Sequence, residues 1–303
     1  MFTAMNVPTN CIHIIIIIYT SIDEKQNYTE ESPQHKIDML ETFVNSRLLE
    51  ACRKGNLSRV RLILSKGLVD INSRDEKHGR TPLMVAAHGG HCEIFDFLMS
   101  KGANMSDVDY DCKNVLHWAC KGGHVDMVER VLPQYGVVKG KEIPPLLHAA
   151  WSGYSDVLEF LVCTGSNVSQ VDVKGNNALH YASLCGHMAV LKYIVSQASV
   201  DVNSRNKDGL TPLMMAASSG NRDVFDFLAS MGANASYVGD NGHNILHLVS
   251  SYGRMKIVKY ILSHSLVDVN ARDKYGKTAA MIAKRKRKLN VYNLLVSRGC
   301  PVK

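Results

Sequence analysis

The chain has 303 residues, 46% of them hydrophobic and 21% charged, a balance that suits folded structure and excludes a wholly disordered polymer. The net charge of +7 is unevenly placed: residues 254–303 hold thirteen Lys or Arg against only Asp268 and Asp273, so one end is basic rather than the whole. Eight scattered cysteines without a C-x-x-C motif exclude a dense disulfide framework and suit free thiols in a reducing compartment, cytoplasm or nucleus.

Ile14 to Ile18 is the oddest local run. With its flanks it reaches about half of the roughly 20 apolar residues a membrane span needs. No Lys or Arg precedes Lys25 and no clear small-residue cleavage site follows, which argues against a signal peptide. We expect a disordered tail over residues 1–38 and no transmembrane span. A bare isoleucine run invites aggregation, so a working protein that starts at Met39 is a second expectation.

From residue 45 onward the chain repeats itself. Thr81-Pro82-Leu83-Met84-Val85-Ala86-Ala87 returns as Thr211-Pro212-Leu213-Met214-Met215-Ala216-Ala217. Equivalent positions fall at Ser46, Thr81, Asn114, Pro144, Asn177, Thr211, Asn244 and Thr278. A spacing of about 33 residues marks a stacked repeat, in which each unit buries its apolar side only against its neighbours.

One unit shows the local logic. Thr81 can cap a helix and Pro82 suits the first helical position, which needs no N–H. Leu83, Val85, Ala86 and Ala87 follow on a short helix, thin enough for neighbours to come close. Gly89-Gly90 ends it. Ile94, Phe95, Phe97, Leu98 and Met99 then give a second helix with an apolar face, closed by Gly102. Asp208-Gly209 and Asn241-Gly242 are two-residue turn signals between units.

Departures from the pattern predict irregularities. The step from Asn114 to Pro144 is short, and Pro144-Pro145 replaces the Thr-Pro cap, so a truncated finger and altered curvature are expected there. Ser46 to Gly55 carries charge on its helix, as a capping unit should. In the last unit Arg287 and Lys288 stand where Gly-His belongs, which predicts a strained turn.

The T-P-L-H-x-A-A core, the Gly-His turn, the apolar second helix and the closing Gly-Ala/Ser-Asn resemble the ankyrin repeat family over roughly residues 45–302. The resemblance implies an all-α solenoid of helix-turn-helix units with hairpin-like fingers, here over 39–303. It implies a non-enzymatic scaffold or adaptor that binds another protein on a concave face. Two other readings stay open: an inhibitor or regulator of one enzyme or transcription factor, and the repeat region of a larger channel or kinase-type protein. We expect a monomer.

By that register the partner-facing residues are Lys77, His78, Arg80, His88, Tyr110, Asp111, Lys113, Lys121, Trp151, Val173, Lys174, Asn176, Leu210, Asn241, His243, Tyr252 and Tyr275. Trp151 is singled out as a large aromatic facing the groove, while Trp118, one turn deeper, is expected to pack. Lys284, Arg285, Lys286, Arg287 and Lys288 form a run suited to nuclear import or an acidic partner. Specific nucleic-acid reading is not expected, because only Tyr275 and Tyr292 lie near this run. In the family a finger-base asparagine can be β-hydroxylated; Asn72, Asn203 and Asn270 occupy that context.

No nucleophile-and-base set in a pocket and no phosphate-cradling glycine loop is evident, so neither an enzyme nor a cofactor is expected. Cys112, His117, Cys120 and His124 suggest zinc at first sight. Their spacing matches no common zinc site, and both histidines recur at His180 and His187, so no metal is expected.

Overall fold

A computed structural model of the chain describes residues 33–67, 69–134, 144–197 and 200–302. The isoleucine run and the tail up to residue 32 lie outside these residues. Contacts divide the chain into two units, 1–44 and 45–303. The described part of the first unit is the opening of helix α1, Pro33–Arg53, and residues 33–38 belong to that helix. Ser46 therefore begins no helix. Residues 34–45 contain no Gly or Pro to stop one.

The second unit continues as helix pairs. They are α2 (Leu57–Ser65), α3 (Pro82–His88), α4 (Cys92–Ser100), α5 (Val115–Gly122), α6 (Val125–Val131), α7 (Pro145–Ser152) and α8 (Ser155–Cys163). Then come α9 (Ala178–Cys185), α10 (Met188–Ser196), α11 (Pro212–Ser219) and α12 (Arg222–Ser230). The row ends with α13 (Ile245–Tyr252), α14 (Met255–Ser263), α15 (Ala279–Arg285) and α16 (Leu289–Ser297). Among the described residues the only β pairing is an isolated bridge between Val238 and Asn244.

The expected cap positions start the inner helices. Thr81, Thr211 and Thr278 accept from the N–H three residues on, at 3.4, 3.4 and 3.3 Å. Asn114, Asn177 and Asn244 do the same through Oδ1, and the histidine at the third helical position returns a bond to the cap N–H. Each cap satisfies donors that would otherwise be orphaned, worth about 1 kcal/mol. Pro144 caps α7 without a side-chain bond.

Each inner helix packs on the next, α3 on α5, then α7, α9, α11, α13 and α15. Small residues permit this approach: Ala86, Ala119, Ala149, Ala182, Ala216 and Ala280 are all fully buried. Gly122 marks the tightest contact, since a Cβ there would lie 2.2 Å from the His88 carbonyl oxygen. The outer helices contribute Ile94, Phe95 and Leu98, and again Val224, Phe225 and Leu228, to one continuous interior. Truncating such a buried side chain costs about 2–5 kcal/mol.

Two irregularities are visible at positions where the sequence departs from the repeat. α6 is short and runs into a 3₁₀ turn, Leu132–Gln134. The finger expected to be truncated lies in 135–143, outside the described residues. Arg287 has φ 56°, a left-handed conformation that costs a side-chain-bearing residue about 1–2 kcal/mol.

Candidate partner-binding surface

Between the helix pairs the backbone forms short fingers, each closed by one amide bond. Asp109 N–H donates to the Lys113 carbonyl (2.9 Å), Asp172 to Asn176 (3.0 Å), Asn206 to Leu210 (3.0 Å) and Asp273 to Lys277 (2.9 Å). The side chain five residues before the cap organises each turn from inside. Asp109 Oδ1 accepts from the N–H of Asp111 and Lys113, and Asp172 Oδ1 from Lys174 and Asn176. Asn206 and Asp273 repeat the arrangement. Gly239 stands at that place in the finger before Asn244, where Asn241 Oδ1 accepts from the His243 N–H instead (3.0 Å).

Neighbouring fingers are tied to one another. Tyr110 N–H donates to the His78 carbonyl (2.9 Å), Lys207 to Lys174 (2.8 Å), Asp240 to Asp208 (3.0 Å) and Lys274 to Asn241 (3.1 Å). Two inner-helix aromatics brace the fingers from behind. Trp118 Nε1 donates to Asp109 Oδ2 at 3.0 Å, and the Tyr181 hydroxyl donates to Asp172 Oδ2. Burial alone would raise the Asp172 carboxyl, but the bonds from Tyr181 and Asn176 hold it below the ordinary value.

Four expected partner residues meet around Trp118, which is buried as packing. Arg80 lies 5.1 Å from its ring, Lys113 5.9 Å and Lys121 4.5 Å, with the His88 ring edge-on at 5.4 Å. Arg80 pairs with Asp75 (2.5 Å) and Lys113 with Asp111 (2.8 Å). Burial, aided by Lys113 and Arg80, holds the Lys121 amine below the usual lysine range. Burial also lowers His88.

Trp151 is 50% exposed. Its ring leans on Tyr181 with centroids 5.1 Å apart, and its carbonyl accepts from His187 Nε2 (2.8 Å). Tyr110, Val173, Tyr252 and Tyr275 are exposed, as are Lys77, Lys174 and Asn241. His78 and Leu210 are half-buried, and His243 reaches Asp273 at 3.2 Å. Asn176 is the exception. It is buried, donates to Asp172 and accepts from Asn206 Nδ2 at 2.8 Å, so it braces the finger base rather than the surface.

Asn72 and Asn203 join successive units: their Oδ1 atoms accept from the N–H of Asn104 and Asn234, both at 2.8 Å. Asn270 is exposed. The residues sequence reasoning missed are the finger organisers Asp109, Asp172, Asn206 and Asp273. Their signal was an Asp or Asn recurring five places before the caps Asn114, Asn177, Thr211 and Thr278.

The family model for ankyrin repeats, in three-copy form, matches residues 26–109, 48–143, 105–174, 146–238 and 231–303. The chain belongs to the ankyrin-repeat family. Relatives share the repeats within longer proteins. A Caenorhabditis elegans transient receptor potential cation channel subfamily A member 1 homolog is 29% identical over 71% of this chain and 15% of its own length. The ankyrin repeat and KH domain-containing protein mask-1 of the same animal is 29% identical over 75% of this chain and 9% of its own. An L-asparaginase of Dirofilaria immitis is 31% identical, but over half of this chain and 26% of its own length. This chain thus spans a minor part of each relative.

Ankyrin repeats of this kind imply contact with other proteins. Among the described residues no helix is long and apolar enough to cross a membrane. Nor does any group of three or more His, Cys, Asp or Glu there gather as metal ligands would. All five residues of the basic run, Lys284 to Lys288, are exposed.

Proposed function

We propose that this ankyrin array is a non-enzymatic scaffold or adaptor that binds a partner protein across its fingers and inner helices. The observation that carries the reading is Trp151, half-exposed on an otherwise braced surface and backed by Tyr181. An aromatic held rigid by a neighbour loses little freedom on binding, which is how binding hot spots gain their energy. The finger ties supply the same preorganisation for Tyr110, Val173 and Tyr275. Affinity capture with the intact chain and with Trp151→Ala, read by mass spectrometry, tests it. Partners kept equally by both proteins would refute it.

The second reading is that these repeats serve as the partner-binding region of a larger protein, a channel among the options. It is supported by the small fraction of each relative that the chain spans. A dedicated inhibitor of one enzyme or transcription factor would instead show one dominant partner in the same capture. The exposed run Lys284 to Lys288 suits import into the nucleus or an acidic partner segment, and its charge reversal would abolish either. The cytoplasm is the compartment we propose otherwise. β-Hydroxylation is proposed at Asn72, Asn203 and Asn270, and peptide mass spectrometry after exposure to an asparaginyl hydroxylase tests it.

A further inference from the structure

On the opposite side of the helix pairs, the outer helices α12, α14 and α16 enclose an open depression of about 380 Å³. Arg222 lines it from α12, Lys256, Lys259 and Tyr260 from α14, Leu294 from α16, and Arg298 just beyond. Four cations from three successive units therefore converge on one hollow. Arg222 is held in place, its guanidinium 4.0 Å from the Tyr260 ring centre and its Nε 2.6 Å from Asp226. Lys256, Lys259 and Arg298 show no carboxylate within ion-pair distance among the described residues.

Asp226 offsets Arg222, which leaves Lys256, Lys259 and Arg298 as the cations without a carboxylate partner among the described residues. Of the two acids in residues 254–303, Asp273 is buried under its finger and engaged by the Tyr275 and Lys277 amides. Asp268 accepts from the Asn270 N–H in the stretch that leads into the same finger. A hollow of this size matches small-ligand sites, roughly 300–1,000 Å³. One carboxylate needs only one Arg, whereas cations spread over three helices suit a ligand with several anionic groups, and Arg and Lys are the usual phosphate partners.

We propose that this outer-face hollow binds a ligand carrying several phosphate groups, separate from the protein-binding surface. The soluble form and a lipid headgroup share this chemistry. Calorimetry of the full chain with myo-inositol hexakisphosphate, and flotation with vesicles containing phosphatidylinositol 4,5-bisphosphate, separate the two. The expected result is saturable binding of at least one probe, weakened at least tenfold by Lys256→Glu with Lys259→Glu; the probe bound more tightly identifies the source. Both lysines are exposed, so the variant should fold, which circular dichroism checks. Absence of binding to either probe would overturn the proposal. So would binding that survives this variant but is lost in Lys286→Glu with Arg287→Glu, which would assign the anion to the basic run.

Discussion

Trp151 and Tyr181 lie one unit apart with ring centroids 5.1 Å apart and planes inclined by 36°, yet only Tyr181 is buried. The inner ring fastens the finger through Asp172, and the outer ring is left facing solvent. Replacing Trp151 by Ala should weaken partner binding by at least about 2 kcal/mol, while the melting temperature moves little. Calorimetry with the captured partner, beside a thermal melt, checks this. A large fall in the melt with binding intact would assign Trp151 to packing.

Trp118 serves its finger in another way, through Nε1 on Asp109. Trp118→Phe keeps most of the buried ring and removes that donor. A loss of about 1–2 kcal/mol in urea denaturation is expected, because the Asp109 oxygen is left short of a partner. An unchanged midpoint would mean that the two backbone donors to Asp109 suffice.

Arg287 occupies a left-handed turn that equivalent units give to glycine. Arg287→Gly should raise stability, by on the order of 0.5–1 kcal/mol once the greater freedom of glycine in the unfolded chain is subtracted. A denaturation midpoint that drops would show that the arginine makes a compensating contact.

The buried histidines predict a pH response. Burial pushes His148 down to about 3, with His117 beside it, and lowers His180 and His247 from the usual imidazole value. His180 Nε2 and His247 Nε2 face the carbonyls of Leu210 and Lys277 at 3.1 Å, so each neutral ring donates to the next unit and accepts its own cap N–H at Nδ1. The unfolded chain binds protons near pH 6.5 that the folded chain refuses. Stability is therefore complete above about 6.5 and falls with acidification, by up to about 1.4 kcal/mol per pH unit for each such ring. Melts from pH 7.5 to 5 test this; a flat profile would contradict it.

Gly122 sets the closeness of α3 and α5. Gly122→Ala would drive a methyl against the His88 carbonyl and should cost at least about 1–3 kcal/mol. Limited proteolysis that cuts near residue 122 only in the variant would locate the opening.

Much of the fold was legible because the repeat imposes its own grammar. The caps Thr81, Asn114, Asn177, Thr211, Asn244 and Thr278 are short polar side chains placed before apolar helices, a local signal. So was the strained turn at Arg287. Ser46 stands at the register position of the caps but starts no helix: the helix from Pro33 runs through it, since nothing in the preceding residues stops it. The surface was less legible. Exposure depends on which neighbour covers a side chain: Asn176 shares a register with exposed finger residues, yet Asp172 and Asn206 draw it inward. The hollow lined by Arg222, Lys259 and Arg298 brings together residues from three units, which no single repeat announces.

The most direct measurement is affinity capture with three proteins: intact chain, Trp151→Ala on the finger side, and Lys259→Glu on the outer side. Loss of the principal partner only with Trp151→Ala is the predicted result. Retention of that partner by Trp151→Ala, or its loss with Lys259→Glu alone, would contradict the binding surface described.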